Sequence, residues 1–310
     1  MVRYVSYGDR EPDRQYRNLI QKIIESGKFV TETQMGEGAL RIIGNEMRFD
    51  FSNGFPVITE RDLLDPGKIG KSQFEMAIAE LCAFLNGART LDEMKNFGCG
   101  WWAPWVTEEK CKKRGLETGD LGPGSYGAAW RAFPTMYGAP FDQWKHVLEQ
   151  MAELPHLRTH IVTPFIPQYI GRGKGKEQKV VVVPCHGLVH IFVDAKDGEL
   201  SLLHWQRSAD APVGLVFNLI QYAALTMMLA QVFGYRATEL VFQTSDTHIY
   251  AGGPNDQRAD VRDMLETEPQ RLPTVTLDPD VKDLFAFRPH HFHVEDYHAQ
   301  LGRRRIKTPV

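Results

Sequence analysis

The side chains best suited to covalent catalysis lie in one stretch of the chain, residues 181–223. Cys185 follows a proline, Arg207 lies in the polar run 206–210 (QRSAD), and Asn218 comes shortly after it. A cysteine thiolate is a nucleophile, and a neighbouring guanidinium lowers the pKa of the thiol and binds anions. A buried strand accommodates a lone cysteine without any function, but it has no need of the polar run. The pattern therefore indicates covalent catalysis by Cys185 beside a site for an anion.

The composition is that of a globular protein with a large core. The chain has 310 residues, of which 43% are hydrophobic and 11% aromatic, and its formal net charge is −3. We find no repeat, low-complexity block or long linker, so one domain spanning residues 1–310 is favoured over two small ones. The small net charge argues against a general nucleic-acid binder. Any recognition of phosphate must therefore be local.

The cysteines and the apolar segments indicate a cytoplasmic protein. The four cysteines contain no CxxC pair, so we expect neither a disulfide scaffold nor a metal site. The N-terminus is polar and lacks the apolar segment of a signal peptide. No uninterrupted apolar run of about 18 residues is present, so a membrane span is not expected.

The apolar pattern predicts helices and strands without regular alternation of the two, which favours an α+β fold around a large sheet. The segment 171–176 (GRGKGK) lacks the remainder of a Walker motif and is predicted to be a solvated loop between strands. A turn is expected at 196–198. Helices are predicted over 16–26, 73–85 and 215–233, and strands over 40–51 with an interruption at Gly44, 189–194, 202–206 and 240–243.

Several separated motifs, taken in order along the chain, resemble the thymidylate synthase superfamily. The matching segments are 47–59, 119–134, 184–186, 206–210, 217–218 and 245–250. Glu80 falls where the family keeps a glutamate. The resemblance covers nearly the whole chain and implies a large twisted mixed sheet backed by helices. It also implies a homodimer in which the outer sheet faces of two copies pair.

The resemblance implies transfer of a one-carbon unit from 5,10-methylenetetrahydrofolate to carbon-5 of a pyrimidine nucleotide 5′-monophosphate. Addition of the Cys185 thiolate to carbon-6 makes carbon-5 nucleophilic, and Arg207 activates the thiol. By resemblance, Glu80 organises water for proton transfers and Tyr126 assists removal of the carbon-5 proton. Without the family, Glu80 could be buried with an arginine and Tyr126 could serve packing alone.

The resemblance also implies two groups of binding residues. Ser208 suits the phosphate and the amide of Asn218 suits the polar edge of the base. His248 and Tyr250 lie two apart, so on a strand they share a face and would hold the sugar. The nucleotide group comprises Arg158 (reaching the partner's phosphate site), Gln206, Arg207, Ser208, Asn218, His248 and Tyr250. The folate group comprises Trp102, Trp105, Asp210 and Gly214.

Two positions expected to bind phosphate differ from the family pattern. The loop 34–38 keeps its glycines but has Gln34 where the family has an arginine. Thr159 follows Arg158 where the family has a second arginine. Two charge-assisted contacts are therefore missing, and Arg41 and Lys174 are the possible replacements.

The folate side differs as well. Ala103 and Pro104 replace two acids between the tryptophans, and the closing segment 306–310 is shorter than expected. A looser closure would let water, rather than hydride, capture the one-carbon unit on the base. This resembles the pyrimidine nucleotide hydroxymethylases of the superfamily. A thymidylate synthase and an inactive nucleotide-binding paralogue are the alternatives. Asn218 favours uracil over cytosine, while ribose and deoxyribose stay undecided.

Overall fold

The computed structural model describes residues 2–136, 138–175 and 177–310. Its central feature is a six-stranded mixed sheet with the order β1-β2-β6-β5-β4-β3, and a separate two-stranded sheet pairs β7 with β8. The strands are β1 (Lys28–Val30), β2 (Ala39–Asp50), β3 (Ile161–Val162), β4 (Leu188–Asp194), β5 (Glu199–Asp210), β6 (Arg236–Tyr250), β7 (Thr274–Leu277) and β8 (Phe292–Glu295). The β5–β6 pair is parallel and the other pairs are antiparallel.

Helices back this sheet. They are α1 (Gln15–Ser26), α2 (Gln73–Leu85), α3 (Leu91–Asn96), α4 (Glu108–Lys112), α5 (Tyr126–Arg131), α6 (Gln143–Glu153), α7 (Pro167–Ile170), α8 (Gly214–Phe233) and α9 (Arg258–Leu265). Helix α8 is the crossover between the parallel strands β5 and β6, as such a pair requires. It is apolar on every side because it is buried between the sheet and α2.

The predicted α+β class, with a mixed sheet backed by helices, is confirmed. The prediction for α2 matches its observed bounds, and α1 and α8 each begin one residue earlier than predicted. Helix α8 is long and apolar enough to cross a membrane, but 89% of its apolar window is buried inside the protein. It is therefore a core helix. The segment 171–175 follows α7 as a loop, and Lys176 lies outside the described residues.

Two strand predictions were too short, and one interruption was wrong. Strands β5 and β6 extend well beyond the predicted segments 202–206 and 240–243. Gly44 does not end β2, because the ladder continues past it from the Ile43–Asp246 pair to the Asn45–Thr244 pair. The glycine adopts a φ of 73°, which is easily reached without a Cβ. The polar residues of β5 and β6 therefore lie at the ends of these two central strands.

The sheet face opposite α8 carries apolar side chains in contact with solvent. Ile161 on β3 and Phe192 on β4 are exposed large hydrophobic residues of this face. Along β4, the residues that alternate with Phe192, such as Ile191, are fully buried toward the helices. One sheet face therefore forms the core, and the other has apolar surface available for contact.

Candidate active site

Cys185 lies just before β4 and contacts Arg207 on β5. Its Sγ is 3.5 Å from Nη2 of Arg207. The same guanidinium donates from Nε to the carbonyl of Pro184 (3.1 Å) and from Nη2 to that of Val183 (3.3 Å). The backbone N–H of Arg207 donates to the Cys185 carbonyl at 2.7 Å. Arg207 is therefore held against the cysteine segment by both its main chain and its side chain.

The environment of Cys185 acts on its thiol in two directions. Burial raises its pKa, while the positive charge of Arg207 and a hydrogen bond with Tyr126 lower it, and the net pKa lies above the ordinary value. The backbone N–H of Cys185 donates to the Tyr126 hydroxyl at 2.8 Å. The thiol is thus buried but lies beside a cation that stabilises its ionised form.

Tyr126 is positioned by the glycine-rich segment before and within α5. Gly122 has a φ of 96°, and a Cβ on Gly127 would lie 2.4 Å from the Ala88 carbonyl oxygen. These close approaches explain the glycines of the motif. The Tyr126 ring stacks on Phe84 with centroids 4.7 Å apart. Burial raises the pKa of the Tyr126 hydroxyl well above its usual value, so this residue is a neutral phenol next to the thiol.

Glu80 is buried on α2 and accepts hydrogen bonds at both oxygens. Its Oε1 accepts from the indoles of Trp101 (2.6 Å) and Trp102 (2.5 Å), and its Oε2 accepts from Nε2 of Gln221 (2.6 Å). Burial raises the pKa of Glu80, and these three hydrogen bonds offset only part of that effect. In the described chain the partners of Glu80 are thus two indoles and an amide, not the arginine that a lone buried carboxylate could have required.

An ordered chain of amides extends from Glu80. Gln221 uses its Nε2 to donate both to Glu80 and to the carbonyl of Ala77 (3.1 Å). Its Oε1 accepts from Nδ2 of Asn218 at 2.9 Å. A carbonyl oxygen only accepts, so the Ala77 contact determines which end of the Gln221 amide carries the nitrogen. That orientation in turn requires Asn218 to donate.

Gln206 holds the opposite side of Asn218. Its Nε2 donates to Oδ1 of Asn218 (3.0 Å) and to the carbonyl of Ser208 (2.9 Å). Both ends of the chain therefore terminate on backbone carbonyls, which cannot reverse their role. We call Gln206, Asn218, Gln221 and Glu80 the amide relay. The order of donors and acceptors along the relay directs Oδ1 of Asn218 to the side of Gln206 and Ser208, and Nδ2 to the side of Gln221 and Glu80.

A cavity of about 260 Å³ opens over the ends of β2, β5 and β6 and is bordered by the segment 30–34. We call it the β2–β6 cavity. His248 and Tyr250 face it together, as predicted, and their rings lie 4.9 Å apart. The Nδ1 of His248 contacts Asp246 Oδ1 at 2.7 Å, and Nη1 of Arg41 lies 3.5 Å from Asp246 Oδ2. The cavity is lined by Val30, Glu32, Thr33, Gln34, Ala39, Arg41, Arg207, Ser208, Asp246, His248 and Tyr250.

Asp210 lies at the end of β5 under the C-terminal segment. The hydroxyl of Thr308 donates to Asp210 Oδ2 at 2.7 Å. Gln257 donates to both oxygens of Asp210 and to the carbonyl of Lys307 at 2.8 Å. Burial raises the pKa of Asp210, and its hydrogen bonds and the charge of His248 counteract that rise only in part. The segment 306–310 is thus docked over Asp210, and Asp210 lies four residues before Gly214, the first residue of α8.

Two predicted residues lie apart from this cluster in the described chain. Arg158 is exposed, and its carbonyl contacts Nε2 of His190 at 3.0 Å. It is not among the residues described as lining the β2–β6 cavity. Trp105 lies under the ammonium of Lys110, with Nζ 5.1 Å from the ring centroid. Trp101, rather than Trp105, joins Trp102 at Glu80.

Sequence reasoning overlooked Trp101, Gln221 and Asp246. A usable signal existed for Gln221, because it lies three residues after Asn218 and so on the same face of a helix. Asp246 lies two residues before His248 on β6, so the two side chains face the same side of the strand. Trp101 offered no signal, because side chains in a turn follow no fixed period from which their direction could be predicted.

The site contains acidic, histidine and cysteine side chains, which are the usual ligands of metal ions. Within residues 2–136, 138–175 and 177–310, no group of three or more His, Cys, Asp or Glu side chains is placed to hold a metal ion. The charged groups of the site are instead the pairs described above, in which a cation or an amide faces a carboxylate or the thiol.

A family comparison agrees with this arrangement. The family model described as thymidylate synthase matches residues 14–310, which is nearly the whole chain. It includes the strands, helices and loops that bring Cys185, Arg207, Glu80 and Asn218 together. Members of this family transfer a one-carbon unit from methylenetetrahydrofolate to a pyrimidine nucleotide. The chain therefore belongs to the thymidylate synthase family and is a one-carbon transferase.

Proposed function

We propose that this enzyme hydroxymethylates carbon-5 of a uracil nucleotide 5′-monophosphate through a covalent adduct on Cys185. The observation that carries the proposal is the 3.5 Å contact between the Cys185 thiol and Arg207, at the edge of the β2–β6 cavity. The thiolate adds to carbon-6, and the electron pair of the 5,6 double bond moves toward carbon-5 and the 4-oxygen. Carbon-5 is then able to attack the one-carbon unit that the folate supplies.

The amide relay supports uracil as the base. Ser208, Arg207 and His248 lie where the phosphate and sugar are proposed to bind, so the glycosidic side of the ring faces Ser208. Position 3 of a pyrimidine is closer to that side than position 4. Asn218 Oδ1 therefore faces N3–H of uracil and Nδ2 faces the 4-oxygen. Cytosine at the same place would oppose donor to donor and acceptor to acceptor, which is strongly unfavourable in a buried site.

Asn218 and Glu80 then have separate tasks in the reaction. The Asn218 amide donates to the 4-oxygen as negative charge develops there, which lowers the energy of the adduct. Glu80 is a carboxylate with a raised pKa, a property that suits a group exchanging protons near neutral pH. In the proposed reaction it accepts a proton from the water whose oxygen adds to the one-carbon unit. Tyr126 lies at the thiol and assists removal of the carbon-5 proton.

The support for hydroxymethyl over methyl comes from the altered tryptophan segment, because Glu80 has the same proton-transfer role in both candidate reactions. Ala103 and Pro104 are exposed in the turn, and the Pro104 carbonyl accepts from Lys110 at 2.8 Å. These two positions are not among the hydrogen-bond partners of Glu80, so their change is expected to act on closure of the site.

The second candidate is a thymidylate synthase, in which hydride from the folate replaces water. The observation that favours it is the docking of the C-terminal segment on Asp210 through Thr308. A segment that covers the site excludes water and protects the one-carbon unit until hydride is transferred. This reaction oxidises the folate to dihydrofolate, whereas hydroxymethylation leaves tetrahydrofolate.

The proposed enzyme is a homodimer in which Arg158 serves the partner's site. Two observations support this. The outer sheet face carries the exposed side chains of Ile161 and Phe192, which a second copy would cover. Arg158 also lies on the surface and away from the cavity of its own chain.

The test is incubation with methylenetetrahydrofolate and each of UMP, dUMP, CMP and dCMP, followed by mass spectrometry of the nucleotide. We expect a hydroxymethylated uracil nucleotide with no absorbance of dihydrofolate. Stoichiometric dihydrofolate with a methylated nucleotide would establish the thymidylate synthase instead. Turnover of the cytosine nucleotides alone would contradict the base that the amide relay supports.

A further inference from the structure

The β2–β6 cavity contains a second arginine that no phosphate motif of the chain includes. Arg41 lies on β2 directly opposite His248 on β6, and Asp210 on β5 follows in the same row. Its side chain lines the cavity together with Arg207 and Ser208. Three adjacent strands thus bring Arg41 to the place where the phosphate is proposed to bind.

Arg207 has little hydrogen-bonding capacity left for that phosphate. Its Nε donates to Pro184, and its Nη2 is directed at the carbonyl of Val183 and the Sγ of Cys185. Only Nη1 is outside these contacts. A phosphate monoester carries close to two negative charges at neutral pH, and a planar guanidinium binds it best through two parallel donors. A cation on the same chain would supply donors to the phosphate in addition to Arg207 and to the arginine proposed to come from the partner subunit.

The charge and the hydrogen-bond donors of the Arg41 guanidinium are poorly satisfied by neighbouring side chains. Its ion pair with Asp246 is long, at 3.5 Å, and its Nε is buried without a hydrogen-bond partner in the part of the chain that is described. Asp246 is shared, because its other oxygen contacts His248 at 2.7 Å. About a third of the Arg41 side chain is exposed to the cavity and solvent. An ion pair this open adds little stability, so holding β2 to β6 is a weak explanation for the arginine.

We propose that Arg41 binds the 5′-phosphate of the nucleotide and replaces the loop cation that is absent at Gln34. This rests on the proposed function in one respect, that a nucleotide binds in the β2–β6 cavity. Gln34 lines the same cavity as Arg41, so a cation at either position reaches the same space. Glu32 and Asp246 are the acids that also line it, and Asp246 orients the guanidinium across the strands.

The experiment measures binding of UMP and uridine to the full-length protein by calorimetry, without folate. The wild type is expected to prefer UMP. The variant Arg41→Met keeps an apolar stem of similar length and should lose about tenfold to a hundredfold in UMP affinity, with uridine binding unchanged. The matched control is Arg48→Met on the same strand, where Arg48 pairs with Glu46 and Glu239 outside the cavity. It should bind both ligands as the wild type does.

Two double variants separate binding from indirect effects. Gln34→Arg in the Arg41→Met background should recover most of the UMP preference, because it returns a cation to the same cavity. Asp246→Asn in that background tests whether the loss came only from leaving Asp246 unpaired, and we expect no recovery from it. Recovery with Asp246→Asn, or an Arg41→Met protein that still prefers UMP, overturns the inference while leaving the proposed function intact. A wild type that binds UMP no better than uridine overturns both.

Discussion

Gln221 donates a hydrogen bond of 2.6 Å to Glu80, although 141 positions separate the two residues in the sequence. The contact joins α8 to α2 inside the core. It links the buried carboxylate to Asn218, because the same glutamine accepts from the asparagine amide. Glu80, which is proposed to exchange protons, and Asn218, which is proposed to bind the base, therefore belong to one hydrogen-bonded unit.

The first prediction concerns the orientation of Asn218. In Gln221→Ala, Asn218 loses the acceptor that keeps its Nδ2 toward Glu80, so Gln206 alone still opposes reversal of its amide. We expect the ratio of kcat/KM for uracil over cytosine nucleotides to fall about tenfold, a change of ~1.4 kcal/mol in relative barrier. Steady-state kinetics with both nucleotides measures the ratio.

A control for this variant exists on the same helix. Gln231 donates to the carbonyls of Asp278 and Val281, away from the site. Gln231→Ala should lower the free energy of unfolding by about 1–2 kcal/mol and leave the base ratio unchanged. An unchanged ratio in Gln221→Ala would mean that the Gln221 contact does not determine base choice.

The second prediction concerns the nucleophile. Cys185→Ser should remove turnover, since a serine hydroxyl is far less nucleophilic than a thiolate in this setting, while UMP binding stays close to the wild-type level. Mass spectrometry of denatured protein after reaction should show a nucleotide adduct on the wild type alone. Cys111→Ser is the matched control because Cys111 is buried against the Asp120 carbonyl. Activity above a few per cent in Cys185→Ser would contradict covalent catalysis.

The third prediction concerns the pH dependence of the thiol. Burial raises the pKa of Cys185 and the positive charge of Arg207 lowers it. Without that charge, burial raises the pKa further. Arg207→Met should therefore raise the thiol pKa and move the acidic limb of the kcat/KM profile to higher pH. The rate of alkylation by iodoacetamide across pH reads the same pKa without substrate. A limb that stays in place would show that Arg207 does not activate the thiol.

The fourth prediction concerns stability in acid. Burial lowers the pKa of His186 from 6.5 to about 3, so between these values the unfolded chain binds a proton that the folded protein does not. The free energy of unfolding should therefore fall as the pH drops through that window, by up to about 1.4 kcal/mol per pH unit from this residue. In His186→Asn, urea unfolding should show a shallower pH dependence. The same slope in both proteins would contradict it.

The fifth prediction concerns the dimer. Arg158→Ala and Cys185→Ser should each be inactive, but a mixture allowed to exchange subunits should recover roughly a quarter of wild-type sites. Recovery arises because Cys185 of one chain meets Arg158 from the other. Native mass spectrometry of the mixture measures the extent of subunit exchange. A fully active monomer in sedimentation would rule this arrangement out.

The sequence alone was sufficient for the fold class and the long helices, and it led to the proposal that Cys185 is the nucleophile. Helix α2 was predicted with its observed bounds because its apolar pattern and its end at an Asn-Gly pair are local signals. The motif around Cys185 and Arg207 was readable because the polar run 206–210 interrupts an apolar strand pattern. Strands β5 and β6 were predicted too short for the same reason, since their polar ends face a cavity and not the core.

Only the tertiary structure decided which partners the site residues have. Trp101 and Gln221 reach Glu80 from positions 21 and 141 residues away, and no local pattern encodes such distances. The direction of the amide relay likewise depends on where the Ala77 and Ser208 carbonyls lie after folding. A sequence specifies which donors and acceptors are available and their local conformation. Long-range packing decides which of them are buried together, and burial makes each hydrogen bond obligatory and its direction definite.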